Sequence, residues 1–398
     1  MAQRPTHRLA ALAAAASARS EIPSFIVMDV MRAAAAAEAE GRRIVHMEVG
    51  QPGTSAPRAA RDALKHALDR ETLGYTLALG MEPLRARIAR LYGDWYGLDI
   101  APSRIVVTSG SSAAFVLAFL ALFDVGEAVG LPSPGYPCYR HILSALGCRP
   151  KNIETGLADR WMPTPEGVDD AIARHDLAGL LLASPANPTG TMLEPERLAA
   201  IADVCRARGV WFVSDEIYHG LTYGMPARSA LCHLDDAIVI NSFSKYFSMT
   251  GWRVGWMVVP ERLVRPIERL AQNLYISPPA ASQVAALGAF DGLDELEANR
   301  AVYAANRELL LREMPQAGFD RIVPADGAFY LYCDISGLSV DSLAFTRRML
   351  DEAGVAATPG LDFDEARGGR FVRFSYAGST DSMIEAIQRL KAWRINPG

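Results

Sequence analysis

The residues most able to do chemistry lie in one run, Asn241-Ser-Phe-Ser-Lys-Tyr-Phe-Ser-Met-Thr-Gly-Trp-Arg-Val-Gly-Trp256. Lys245 stands between hydroxyl residues, and Arg253 follows on the same stretch. Apolar runs flank it, Asp236-Ala-Ile-Val-Ile240 before and Val254-Gly-Trp-Met-Val-Val259 after, and both read as buried strands. Lys245 therefore falls in a loop between two core strands. A loop lysine is ordinarily a solvated charge. A partly desolvated amine, however, sheds its proton more easily and attacks carbonyls. Ser242 and Arg253 could hold a phosphate beside it, through a hydroxyl and a planar fork of N–H groups.

An amine that condenses with an aldehyde, next to a phosphate site, points to pyridoxal phosphate. Ser242-Phe-Ser-Lys245 followed by Gly251-Trp-Arg-Val-Gly255 resembles the lysine signature of the class I/II aminotransferases. These are the fold-type I pyridoxal phosphate enzymes of the aspartate aminotransferase superfamily. The resemblance implies a Schiff base on Lys245 and transfer of an α-amino group between an L-amino acid and a 2-oxo acid. Lys245 would then hold and move the Cα proton as general base and acid.

The elements that must position this lysine can be taken in chain order. Ile44-Val-His-Met-Glu-Val49 reads as a strand that ends in the turn Gly50-Gln-Pro-Gly53. In the resembling family that turn lies against the substrate carboxylate, which implies a binding role for Gly50. Gly74-Tyr-Thr76 resembles the family's tyrosine that reaches a partner subunit's phosphate. Tyr75 takes that role by resemblance, and a homodimer is implied. From local sequence alone, a tyrosine in a glycine-rich loop is ordinarily a packing residue.

Arg104-Ile-Val-Val-Thr-Ser-Gly-Ser-Ser-Ala-Ala-Phe115 reads as strand, turn and helix. Small residues at a helix start leave N–H groups facing an anion, though Ser also caps helices. The family places a phosphate there, on Ser111 and Ser112. After the strand Glu127–Leu131, Tyr136 matches the aromatic that stacks on the cofactor ring. Ala183-Ser-Pro-Ala-Asn-Pro-Thr-Gly190 resembles the Asn-Pro-x-Gly signature. Asn187 would thereby donate to the cofactor's phenolate oxygen and touch substrate, and its bond to Pro188 is a candidate cis peptide.

Val210-Trp-Phe-Val-Ser-Asp-Glu-Ile-Tyr218 is an apolar strand ending in acids. A carboxylate at the end of a core strand needs a partner. The family implies the pyridine nitrogen as the partner of Asp215, and implies that Tyr218 joins Asn187 at the phenolate. Glu216 reads as a solvated or structural acid. Near the C-terminus, Arg370-Phe-Val-Arg-Phe-Ser-Tyr-Ala377 is a strand whose two arginines fall on opposite faces. The family motif selects Arg373 as the fork for the substrate α-carboxylate.

Strands and helices alternate from about 104 to 260, which predicts an α/β domain with a mainly parallel sheet and ligands beyond the strands' carboxyl ends. By resemblance, 46–290 is the large cofactor-binding domain. Residues 1–45 and 291–398 form an N-terminal arm and a smaller α+β domain. Half of the 398 residues are hydrophobic, so a large core is available. The net charge is −5 without a long basic block, which argues against nucleic acid or an anionic membrane as partner. Five cysteines without a Cys-x-x-Cys pair argue for reduced thiols in a cytoplasmic protein and against a metal site. Residues 1–20 are basic and then alanine-rich, and read as a helical or partly disordered arm rather than a secretory signal.

Substrate choice is less legible. Gln272-Asn-Leu-Tyr-Ile-Ser277 carries no cation, and Ser112 stands where some aspartate-specific relatives place a lysine. Phe25, Ile26, Tyr136 and Leu274 lean towards a neutral or aromatic amino acid. Two other functions fit the same scaffold: β-elimination by a C–S lyase, and a non-catalytic regulatory or binding role.

Overall fold

The computed structural model describes residues 17–393. Seven strands form the central sheet: β2 (Ile105–Thr108), β3 (Ala128–Ser133), β4 (Arg149–Glu154), β5 (Leu177–Ala183), β6 (Trp211–Asp215), β7 (Ile238–Ser242) and β8 (Gly255–Val258). Before them, β1 (Val45–His46) is shorter than the expected 44–49 strand. The sheet order is β2-β8-β7-β6-β5-β3-β4. Every pairing is parallel except the two made by β8. The α/β class expected from the alternation is the class observed.

Apart from the polar edge strand β4, the strands are largely apolar because both faces of the sheet are covered. Val106, Leu181, Val213, Ile238, Ile240 and Met257 enter one core cluster. Their neighbours Ile105, Val107, Leu180, Leu182, Phe212, Val239, Trp256 and Val258 enter the other. Helices supply both coverings. In chain order they are α1 (Ile26–Ala39), α2 (Arg58–Leu68), α3 (Glu82–Tyr96), α4 (Gly110–Leu122), α5 (Pro137–Leu146), α6 (Pro165–His175), α7 (Pro195–Arg208), α8 (Glu261–Leu274), α9 (Ala280–Ala289), α10 (Leu293–Glu313), α11 (Ser342–Arg348) and α12 (Thr380–Ala392). Helix α4 buries Ala114, Phe115, Leu117, Ala118 and Phe119, so almost no polar face is left on it.

The C-terminal part carries a second sheet of β9 (Arg321–Ile322), β10 (Tyr330–Asp334), β12 (Thr358–Pro359) and β13 (Phe371–Ser375), all antiparallel in the order β12-β13-β10-β9. Between these, β11 (Val355–Ala356) pairs in parallel with β1. The boundary expected at 45/46 thus cuts β1, which is tied to the C-terminal unit. Helix α1 starts directly after Phe25, which stands at its N-cap. A 3-10 turn at Phe290–Gly292 separates α9 from α10. Most of the alanine-rich arm, residues 1–16, lies outside the described residues. Ala18–Ser20 form a 3-10 turn.

Candidate active site

The sheet delivers its polar residues to one edge. Strands β2, β3, β5, β6 and β7 run in parallel and end before Ser111, Tyr136, Asn187, Tyr218 and Lys245 respectively. Antiparallel β8 starts at that edge and brings Arg253 to it. The crevice beyond the carboxyl ends is where ligands bind in such sheets. There, a cavity of about 240 Å³ is lined by Gly50, Ser111, Ser112, Tyr136, Asn187, Asp215, Tyr218, Lys245, Arg253 and Arg373. All ten come from the sequence reading.

Lys245 brings its amine to this cavity. Its Nζ donates to the Gly50 carbonyl. Burial pushes its pKa down to about 8, Arg373 and Arg253 add to the push, and Asp215 opposes it. Asp215 is 3% exposed. Burial raises its carboxyl to about 6, while hydrogen bonds from Tyr139 and the Ile217 N–H (3.0 Å) and the charge of Lys245 pull it back. One site therefore holds a weakened base and a weakened acid, each shifted towards neutral pH.

Arg253 and the start of α4 make an anion cradle. Gly110 has φ +78°, and a Cβ there would run into the Arg253 guanidinium. Glycine at this position lets the guanidinium close over the free N–H groups of the first helical turn. A cation over a helix N-terminus favours a phosphate.

Ser242 does not line the cavity. It is 1% exposed, and its hydroxyl donates to Ser244 Oγ (2.8 Å) and the Val254 carbonyl (3.1 Å). Ser244 faces the cavity instead. Two positions apart, the two serines would share a face in a continued strand; β7 ends at Ser242, and the turn that follows carries Ser244 to the cavity. Tyr75 is also absent from its own chain's cavity lining. It is 85% exposed and lies on a separate groove with Tyr275, Ser277 and Pro278.

Arg373 is 3% exposed, whereas Arg370 is exposed just before the strand, which settles the choice left by β13. Its Nη1 donates to Asn187 Oδ1 at 2.8 Å, and Nη2 donates to the Glu48 carbonyl and Thr358 Oγ1. Its Nε is buried without a partner. The guanidinium sits 4.4 Å from the Tyr330 ring centroid and 4.8 Å from that of Phe363. With Asn187 Oδ1 engaged, the amide nitrogen of Asn187 is left to donate into the cavity. The Asn187–Pro188 bond is cis.

Two residues escaped the sequence reading. Tyr139 bonds Asp215 from α5, three positions after Tyr136. Tyr330 on β10 bonds the Tyr218 hydroxyl at 2.6 Å and packs against Gly50, where a Cβ would strike its hydroxyl. Each was legible only as a tyrosine in an apolar run. A second signal for Tyr330, the alternation of β10, shows which face it shares with Tyr332 but not what that face meets. The apolar side of the cavity comes from α1 and the residue before it: Phe25, Val27, Met28 and Met31. Of the four residues expected to set substrate choice, Phe25 and Tyr136 line the cavity. Ile26 and Leu274 do not, and Leu274 is 52% exposed at the end of α8.

A family model described as aminotransferase class I and II matches residues 42–390. The chain belongs to this aminotransferase family. Among similar proteins, the valine–pyruvate aminotransferase of Mycobacterium tuberculosis is 48% identical over 94% of this chain and 97% of that protein. A solved structure of a putative aminotransferase from Silicibacter pomeroyi superposes with TM-score 0.90 at 56% identity, covering 95% of this chain and 99% of the other. Aspartate aminotransferase from Thermus thermophilus, solved with maleate, has TM-score 0.89 at 30% identity, covering 95% and 99%. The protein is therefore an aminotransferase enzyme of the fold-type I class, and transamination is its reaction. Membership implies pyridoxal phosphate as cofactor, with amino acids and 2-oxo acids as substrates.

Proposed function

We propose that this aminotransferase uses pyridoxal phosphate on Lys245 to exchange the amino group of a neutral, aliphatic or aromatic L-amino acid with a small 2-oxo acid. The observation that carries the substrate class is the charge inventory of the cavity. Its cations are Lys245, Arg253 and Arg373, and each has a task; the wall facing them is Phe25, Val27, Met28 and Met31. A distal carboxylate buried there would be left without a partner. The kinship to a valine–pyruvate aminotransferase supports the same reading.

The residues fit the cofactor. Arg253, Ser111, Ser112 and Ser244 would hold its phosphate, and Tyr136 would support the ring face. Asp215 would balance a positive ring nitrogen, while Asn187 and Tyr218 would donate to the ring oxygen. Bound there, pyridoxal phosphate supplies an electron sink for the pair left when the Cα–H bond breaks. Arg373 forks onto the substrate carboxylate and so fixes which Cα bond faces Lys245. The neutral Lys245 amine would take the Cα proton and return it to the cofactor carbon that the nitrogen joins. The apolar α1 wall keeps water from that proton. The Cys138, Cys148, Cys205, Cys232 and Cys333 thiols, all unpaired, support a reducing cytoplasmic setting.

Tyr75, Leu77 and Ile276 are 85%, 69% and 50% exposed. We infer that a second copy covers them, in a homodimer that takes Tyr75 to the partner's phosphate. The function is tested by a panel of amino acids against pyruvate and 2-oxoglutarate, with the cofactor's visible absorbance followed. Valine-like donors with pyruvate should turn over, and Lys245→Ala should abolish turnover, a loss of roughly 10²-fold or more. A preference for aspartate, or ammonia release without an acceptor, overturns the reading.

A further inference from the structure

Glu216 follows Asp215 but turns away from the cavity, and the mechanism does not use it. The sequence reading allowed a solvated acid; Glu216 is 1% exposed. Its Oε1 accepts from Ser214 Oγ (3.1 Å), Ser229 Oγ (3.0 Å) and the Ala230 N–H (2.8 Å). Its Oε2 is buried with no hydrogen-bond partner. The nearest titratable nitrogen to Oε2 is His219 Nδ1, at 3.5 Å.

His219 is itself held at both ring nitrogens. Nε2 lies 2.9 Å from the Ser184 carbonyl, which can only accept, so Nε2 carries the hydrogen. Nδ1 lies 2.6 Å from the Tyr96 hydroxyl of α3. In the neutral ring Nδ1 accepts that hydroxyl proton. A bare carboxylate oxygen would then face a nitrogen lone pair across 3.5 Å, with the Asp215 carboxylate one residue away. A proton on Oε2 removes the conflict.

We propose that Glu216 is a neutral carboxylic acid and a positioning residue. With His219 and Tyr96 it ties the strand end carrying Asp215 to Ser184, at the start of the loop that presents Asn187. The inference rests on the proposed cofactor site only for the tasks of Asp215 and Asn187. Its purpose follows from electrostatics: two adjacent buried carboxyls do not both ionise cheaply, so a protonated Glu216 leaves the one negative charge on the cavity side. The groups facing Glu216 are Asp215 on its own segment, His219 in the next turn, Cys232 beyond Ser229, and Tyr92 and Tyr96 of α3. None of these is a cation when His219 is neutral. Burial drives the Glu216 carboxyl up to about 8 and His219 down to about 4, in keeping with an uncharged cluster.

The test uses Glu216→Gln, which keeps an acceptor at Oε1 and puts a donor where the acid's proton would be. Infrared spectra at pH 7 of the chain without cofactor should show a protonated-carboxyl C=O band that Glu216→Gln removes. The folded chain keeps this proton to about pH 8, while an unfolded glutamate releases it near 4.5. The melting temperature of wild type should therefore fall relative to Glu216→Gln as pH rises between those values, then run parallel above them. Cofactor affinity should drop roughly tenfold or more in Glu216→Ala and recover in Glu216→Gln. A missing band, a pH-independent gap in melting temperature, or a glutamine variant as impaired as the alanine one overturns the proposal. The first two readouts need no transamination, so they stand apart from the fate of the proposed substrate class.

Discussion

Lys245 and Asp215 are matched by the same burial acting on opposite charges. Desolvation lowers the amine to about 8 and raises the acid to about 6. Capture of an aldehyde requires the neutral amine, and holding a positive ring nitrogen requires the ionised acid. Uptake of pyridoxal phosphate by the bare chain should therefore speed up as pH climbs to about 8 and level off above it, while affinity weakens below about 6. Stopped-flow absorbance across pH checks both limbs. A capture midpoint near 10.5, the ordinary lysine value, would mean that the amine is solvated. Arg373 makes a second residue-scale case. Its planar fork reaches Asn187, Glu48 and Thr358 while leaving Nε open. A lysine there keeps the charge but loses the fork. Arg373→Lys should raise KM for both the amino acid and the 2-oxo acid by roughly tenfold to a hundredfold, the worth of a charged hydrogen bond. Steady-state kinetics with each substrate varied in turn reads this directly.

Helix α1 is the element that gives the cavity its apolar side, and it is pinned from a distance. The Ile26 and Val27 N–H groups donate to the two Asp362 carboxylate oxygens at 3.1 and 3.2 Å. A helix's first N–H groups have no internal acceptor, and Phe25 at the N-cap offers no side-chain oxygen. Asp362 supplies the cap from the other end of the chain. Its own carbonyl accepts from Arg140 Nη2 at 2.9 Å, so the cap is tied to α5 as well. Asp362→Ala should cost about 1 kcal/mol of stability, the usual worth of a cap. Because Phe25, Met28 and Met31 ride on this end of α1, KM for valine-like donors should rise while cofactor absorbance stays as in wild type. Thermal unfolding and donor-varied kinetics measure the two effects. Equal losses for alanine and for larger donors would show that α1 does not read the side chain.

At the scale of the whole molecule, the active site sits between two units that are built differently. The large sheet supplies Ser111, Tyr136, Asn187, Asp215, Lys245 and Arg253 from successive strand ends. The C-terminal sheet supplies Arg373 and Tyr330 from β13 and β10, which pair with each other. On the proposed reading, substrate carboxylate and cofactor would fall to different sheets, and relative motion of the two would change their distance. The proposed copy-to-copy surface belongs to this scale as well. Sedimentation should show a dimer of the 43.1 kDa chain. Tyr75→Phe should leave the dimer intact and weaken cofactor retention, since it removes a hydroxyl and keeps the ring. A monomer at micromolar concentration, or a Tyr75→Phe protein that holds the cofactor as tightly, would remove Tyr75 from the partner's site.

Local chain chemistry singled out Lys245 and Asp215, and the family resemblance named most of the other residues that line the cavity. Apolar strand segments end in polar groups, so Asp215 and Lys245 stand out beside strand ends, while Asn187 reads as a turn residue until the family resemblance is counted. The alternation of strand and helix likewise dictates a parallel sheet, and a parallel sheet gathers those ends on one edge. What local chemistry cannot carry is contact between distant segments. Tyr139 and Tyr330 are tyrosines in apolar runs until folding brings them to Asp215 and Tyr218. Ser242 and Ser244 are alike in sequence, and only the turn after β7 decides which faces the cavity. Glu216 reads as a solvated or structural acid, and only the closing of Ser229, Ala230 and His219 around it decides between the two. Residue type and spacing determined which groups are available; tertiary packing decided which become neighbours, because hydrogen bonding and desolvation act through space, not along the chain.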